Sequence, residues 1–294
     1  MMSFYSFLSA IELGLIYSLM VLGLFVSYRI LNIPDLTVDG SFTLGAAVAV
    51  VMTLSGHPVL GIVLAGAAGG VAGLVTALLQ TKMKIQPILA GIITMTALYS
   101  INLIVMDNKA NLPLTQSESI YNHLPGMLLS GGAAVLVAAA LVLFLHTPSG
   151  LAVRATGDNE AMVRSSSIDA DRMKMVGLSI ANACVSLSGA LIAHYNCYAE
   201  VRMGIGMVVI GLASLIIGEI VLGLFFRRAT ILFGAIAAIA GSILYRLIIA
   251  QALEWNFSSS SLKLITAIIV AAAMSMPALQ QAYRSRKQRK AGAR

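Results

Sequence analysis

The chain has 294 residues, of which 59% are apolar and only 11% charged, with a formal net charge of +7. A water-soluble domain carries about 25% charged residues, so one buried core does not account for this composition; the apolar residues gather instead into blocks of about 20, enough to cross a hydrocarbon layer of about 30 Å. The positive charge does not point to nucleic acid. Arg284, Arg286, Lys287, Arg289, Lys290 and Arg294 crowd beyond the last apolar block, where basic residues anchor a membrane helix against anionic lipid on the cytoplasmic side.

Nine apolar segments follow in order, at 4–28, 38–56, 58–80, 86–106, 124–146, 174–195, 206–226, 229–250 and 262–280. They predict an all-α, polytopic membrane protein of about nine transmembrane helices, a single transmembrane domain over 1–294 with a basic cytoplasmic tail at 284–294. The first segment has no basic n-region and is too long for an h-region, so it reads as a membrane helix and not a cleaved leader. The basic residues set the orientation. Placing Arg29, Lys82, Lys84, Arg154, Arg164, Arg172, Lys174, Arg227, Arg228 and the tail on one side collects fifteen of nineteen, leaving Lys109, Arg202, Arg246 and Lys263 opposite. That puts the C-terminus in the cytoplasm and the N-terminus outside.

In the third segment Gly66 and Gly70, and Gly69 and Gly73, recur at i,i+4. Such spacing lets helix backbones approach closely, within or between subunits. Two gaps are long and polar, an external one at 107–123 and a cytoplasmic one at 147–173; the others read as tight turns, with no room for a separate soluble domain.

The chain lacks a G-x-x-x-x-G-K-[ST] phosphate loop, an H-E-x-x-H metal site and a G-x-S-x-G nucleophile elbow. His57, His123, His146 and His194 are scattered, and Cys184 and Cys197 have neither metal nor redox spacing. No catalytic residue, metal site or cofactor is expected in the chain itself. Ser186, Ser188, Gly189 and His194 share one helix, which favours interhelical hydroxyl packing over an intramembrane protease. Polar groups inside apolar segments are the candidates for a solute pathway. Asp39 and Ser41 sit at a Pro- and Gly-interrupted boundary and either line the pathway or cap the helix after them. Glu219 either pairs with a basic residue on another helix or faces a pore. Thr94, Thr96, Tyr99 and Asn102 either bond between helices or line the pathway.

The gap at 147–173 has internal structure. A Pro-Ser-Gly break opens a short helix-prone run; Gly157, Asp158 and Asn159 suit a turn and an N-cap; a second short run starts at Glu160. A polar helix lying across the cytoplasmic face is shaped to dock on a partner, with a solvated connecting loop as the other reading.

The residues Thr147, Pro148, Gly150, Ala152, Arg154, Ala155, Gly157, Asn159 and Ala161 resemble the coupling segment of ABC-importer permeases of the branched-chain amino acid and ribose class. LNIPDLTVDGSFTLGAA at 31–47 and MVVIGLASLIIGEIVLG at 207–223 are similar to the same class, the former nearest a subgroup that includes aromatic amino acid permeases; Leu212, Ala213 and Glu219 depart from the branched-chain pattern. The resemblance implies a bacterial inner-membrane permease subunit that moves a small solute, an amino acid or a similar partly apolar molecule. It implies a second permease subunit, two ATPase subunits that bind ATP and Mg, and an extracytoplasmic solute-binding protein. Gly150, Arg154, Ala155, Gly157, Asp158, Asn159, Glu160 and Ala161 would then meet the ATPase, Arg154, Asp158 and Glu160 by polar contact. An ion-coupled secondary transporter is the alternative; it would need acids deep in several helices.

Overall fold

The computed structural model describes residues 4–115, 119–122, 125–223, 230–254, 271 and 275. The expected ninth segment at 262–280, the tail at 284–294, and His123, Arg227, Arg228 and Lys263 lie outside the described residues.

Helix α1 (Phe4–Leu24) continues through a π-helical last turn to Ile30. After it come α2 (Thr37–Leu54), α3 (Pro58–Thr81), α4 (Pro87–Val105) and α5 (Gly126–His146). Two short helices, α6 (Pro148–Asp158) and α7 (Glu160–Ser165), lead into α8 (Ala170–Asn196), α9 (Met207–Gly223) and α10 (Ile231–Glu254). Seven of these are long and apolar enough to cross a membrane, and α9 is a shorter apolar helix. The protein is therefore all-α and polytopic, as the hydropathy blocks predict.

The bundle is built around α8, which packs against α1, α2 and α3; α9 and α10 lie on α1, with α4 outside α2 and α5 outside α1. Lipid gives helices no hydrophobic reason to associate, so close backbone approach and interhelical hydrogen bonds do the joining. Both are present. A Cβ on Gly73 would run into the Leu178 carbonyl oxygen, and one on Gly69 into Ser186 and the Asn182 carbonyl oxygen. The Gly69 and Gly73 positions of the small-residue stripe thus serve packing of α3 on α8 within the chain. Hydroxyls join the same seams: Ser186 Oγ donates to the Ala65 carbonyl at 2.6 Å, Ser188 Oγ to Ile16 at 2.8 Å, and Ser242 Oγ to Gly14 at 2.7 Å.

Three features depart from the expected layout. α8 starts four residues early because Asp169 caps it, accepting from the Asp171 and Arg172 backbone N–H groups at 3.1 and 3.2 Å; the charged first turn simply projects past the apolar layer. Arg246, a charge within the apolar segment at 229–250, lies inside α10 with its guanidinium 3.7 Å from the centre of the Tyr17 ring. The gap after α8 is no tight turn. Its strand β2 (Tyr198–Glu200) pairs antiparallel with β1 (Asn111–Pro113), Leu112 opposite Ala199.

From β2 the chain folds inward along α2. The Gly204 N–H donates to Thr43 Oγ1 at 3.1 Å, and the Gly206 and Val208 N–H groups donate to the two carboxylate oxygens of Asp39 at 2.9 Å each. Thr53, ten residues beyond Thr43 on α2, meets His194 near the end of α8 at 3.3 Å. Ten helical residues span about 15 Å, so α9 begins about 15 Å inside the bundle. Its first N–H groups are capped sideways by an acid on another helix.

Two substitutions test this packing. Gly73→Leu should cost about 3 kcal/mol or more by overpacking against backbone, read as loss of monodisperse protein and of the thermal transition in detergent, whereas Gly132→Ala, where a Cβ meets nothing within 4 Å, should behave as the parent. Asp39→Ala leaves two N–H groups without acceptors and should lower stability by about 2 kcal/mol; Asp39→Asn, which keeps one acceptor, should lose about half as much in the same melting experiment.

Candidate functional site

Two regions hold the candidate residues, one at the α6–α7 end of the bundle and one between α2 and α4.

The turn from α5 into α6 is written locally. Thr147 Oγ1 accepts from the Gly150 N–H at 3.2 Å and donates to the Phe144 carbonyl at 2.6 Å, while Pro148 takes the first helical position, where no N–H is needed. α6 buries Val153 in an apolar cluster with Leu31, Ile33, Ala77 and Leu178. Its far end presses on α1: a Cβ on Gly157 would overlap the Ile30 carbonyl oxygen. Gly157 is helical, so its role is close approach and not the expected turn. Asn159 caps α7, accepting from the Met162 N–H at 3.1 Å.

Glu160 turns toward the bundle. It meets Lys174 Nζ at 2.7 Å and Arg164 at 2.8 Å, and Arg164 also reaches Asp171. The Lys174 hydrogen bond, then that of Arg164, holds the Glu160 carboxyl below its ordinary range. These ion pairs fasten α7 to α8. Arg154 and Asp158 line a cavity of about 500 Å³ with Arg29, Glu219, Phe25 and Ile231, facing the ends of α1, α9 and α10. Glu219 pairs with Arg29 at 3.0 Å on the wall of that cavity. The outward face instead shows Ala155, Asn159, Ala161, Leu151 and Met162, the last two 50% and 67% exposed. Leu151 and Met162 escaped the sequence reading. Their signal was an apolar residue at a position where the helix has no inward face to serve.

The second region is a cavity of about 330 Å³ lined by Asp39, Gly40, Thr43, Met95, Thr96, Tyr99, Asn102, Val201 and Ile205. Asp39, Tyr99 and Asn102 thus converge, with Thr96. Two other candidates do not join them. Ser41 faces the opposite side of α2 and donates to Asn182 Oδ1 at 2.7 Å, and Thr94 is buried with its hydroxyl on the Ala90 carbonyl at 3.0 Å. Neither Asp39 nor Ser41 caps α2. Leu36 holds the N-cap position, and Asp35 just before it accepts from the Thr37 N–H at 2.9 Å and from Asn182 Nδ2 at 2.7 Å. This buried chain from Asp35 through Asn182 to Ser41 links residues some 147 apart in sequence, and only the Pro34-Asp35 step hints at it. The serine and histidine of α8 form no nucleophile: Ser188 is spent on Ile16, and His194 Nε2 faces Thr53.

The family model of the branched-chain amino acid transport system permease component matches residues 6–273. The chain is 38% identical over 267 residues to the tyrosine transport system permease protein of Clostridioides difficile, covering 90% of this chain and 89% of the relative. It is 30% identical over 275 residues to an uncharacterized protein of Rickettsia prowazekii, covering 91% and 96%. With the ribose import permease protein of Bacillus subtilis it shares 29% over 193 residues, 63% of this chain and 59% of that one. No solved structure gives a significant match. Matched along nearly its whole length to transport-system permeases, the chain is a multi-pass membrane protein of the branched-chain amino acid permease family: the permease component of an ABC-type transport system, and not an enzyme.

Proposed function

We propose that this chain conducts an amino acid, or a similar small and partly apolar solute, into the cytoplasm across a bacterial inner membrane. Two permease subunits, both copies of this chain, form the pathway; two separate ATPase subunits bind ATP and Mg and drive it; an extracytoplasmic binding protein delivers the solute. The α6–α7 end, with the C-terminal tail, faces the cytoplasm. One observation carries the reading. α6 and α7 form a rigid elbow at one end of the bundle, locked to α1 by the Gly157 contact and to α8 by the Glu160 ion pairs, and its outer face offers Leu151 and Met162 to a partner. An elbow of this kind receives mechanical work. A mere connecting loop has no need of three caps and an ion-pair cluster.

The amino acid is favoured over a sugar because the tyrosine permease aligns over nine-tenths of this chain, and the ribose permease over less than two-thirds. The ion-coupled alternative needs acids free to exchange a cation. Asp35 is held by Asn182 and the Thr37 N–H, and Glu219 by Arg29, which supports the ATP-driven reading.

Reconstituted with its ATPase and binding protein, the complex should take up L-tyrosine only with ATP and irrespective of ionophores; ionophore-sensitive uptake without the ATPase would refute the assignment. Leu151→Asp and Met162→Glu, both on the exposed face, should insert normally and yet lose copurification with the ATPase. Arg154→Glu and Gly157→Ala should reduce binding-protein-stimulated ATP hydrolysis about tenfold or more. Full stimulation in all four variants would place the dock elsewhere.

A further inference from the structure

The cavity between α2 and α4 contains a polar atom that nothing in the described protein satisfies. Asn102 is 1% exposed and on the cavity wall; its Nδ2 donates to the Gly40 carbonyl at 3.3 Å, but its Oδ1 has no hydrogen-bond partner among the described residues. Leaving a buried acceptor unmade costs about 1–3 kcal/mol, so an amide oriented this way is arranged for a donor that arrives from the cavity. The neighbouring polar atoms have the same character. Asp39 accepts one N–H at each oxygen, while a carboxylate has about four lone-pair sites, so acceptor capacity remains. The Thr96 hydroxyl donates back to the Ile92 carbonyl at 2.8 Å, leaving its oxygen as an acceptor. The rest of the wall is Met95, Val201, Ile205 and the ring of Tyr99, which is 46% exposed. A volume of about 330 Å³ falls at the small end of the range of about 300–1,000 Å³ for small-molecule sites.

We propose that this cavity is a binding station inside the permease for a solute with a primary ammonium group on an apolar or aromatic body, the ammonium meeting Asn102 Oδ1 and the Asp39 carboxylate and the body lying against Met95, Tyr99 and Ile205. The proposal rests on the transport reading above and deepens it. The wall favours an amine because the Asn102 Oδ1 and the Asp39 carboxylate, one of them anionic, both await a donor; the second Asn102 Nδ2 hydrogen and the Tyr99 hydroxyl are the donors it keeps. It disfavours a polyol, whose many hydroxyls would lie against Met95, Val201 and Ile205 unpaired, and it repels a carboxylate, which must point to the open side. Occupancy would also be felt at α9, whose first N–H groups share the Asp39 oxygens.

The test is equilibrium binding to the permease–ATPase complex in nanodiscs, without the binding protein, using L-tyrosine, tyramine, 3-(4-hydroxyphenyl)propionate and D-ribose. L-Tyrosine and tyramine should bind saturably, and the other two should not. Asn102→Leu should weaken tyramine binding about tenfold or more. Asn102→Asp, equal in shape, should hold or tighten it, and gives a reading even if the leucine variant fails to fold. Equal binding of the des-amino acid, an unchanged Asn102→Leu affinity, weakened binding in Asn102→Asp, or no saturable binding in a complex that pumps tyrosine would each overturn the station and leave the transport reading standing. ATP-driven uptake of D-ribose in place of L-tyrosine would instead defeat the parent reading of the solute.

Discussion

Backbone polar groups have no water to turn to inside a hydrocarbon layer, so any break in a membrane helix must be satisfied by the protein itself. This chain breaks its helices twice near one another, before α2 and before α9, and both breaks are closed by acids from the stretch at 31–47. Asp35 accepts from the first turn of α2, and Asp39, four residues later, accepts from the first turn of α9. The β1–β2 pair settles the strand that leads inward, with the Val201 N–H on the Ala110 carbonyl and the Leu114 N–H on that of Cys197. A positive helix N-terminus facing a carboxylate adds electrostatic attraction to the hydrogen bonds. Once those groups are met, α9 can start in the middle of the bundle, and a cavity opens beside its start.

Close packing around α8 makes the arrangement rigid. Gly69 and Gly73 bring α3 to backbone contact with α8, and Asn182 on α8 sits between Asp35 and Ser41 of the α2 region. The breaks are therefore anchored on the helix that α1, α2 and α3 all pack against, while α4, which carries Thr96, Tyr99 and Asn102, lies at the edge and touches mainly α2 and α3. Polar side chains on the open face of an outer, otherwise apolar helix are expensive against lipid. They are reasonable where that face meets a solute pathway.

The features legible in the sequence are those whose cause is local. Block length located eight helices to within a few residues, because membrane thickness sets it. Thr147-Pro148 and Asn159 announced α6 and α7, because caps act over three residues. The partner of Arg246 was illegible for the opposite reason: its guanidinium lies over the ring of Tyr17, which a distant helix, α1, contributes. Asp39 stands out in the sequence but its partners do not, since Gly206 and Val208 lie more than 160 residues away. The three-residue strands carry too little pattern to read at all. Asn102 looked like one interhelical polar group among several, and only its depth and its unmet oxygen separate it from Thr94, whose hydroxyl is satisfied by its own helix.

The two functional regions share one element. α9 begins at Asp39, on the wall of the α2–α4 cavity, and twelve residues later, about 18 Å along, Glu219 grips Arg29 on the wall of the cavity that Arg154 and Asp158 also line. Arg29 precedes Ile30, the residue whose carbonyl Gly157 of α6 rests against. A displacement of α6 therefore meets the end of α1 first, then Glu219, and then a straight helix whose other terminus is held only by a side-chain cap. Two carboxylates bound the rod, one gripping a cation and the other a pair of N–H groups, and neither bond is covalent or part of a continuous helix. Coupling between distant sites requires an element with two arrangements that both sites bias, and among the described residues α9 is a short helix with replaceable contacts toward both cavities.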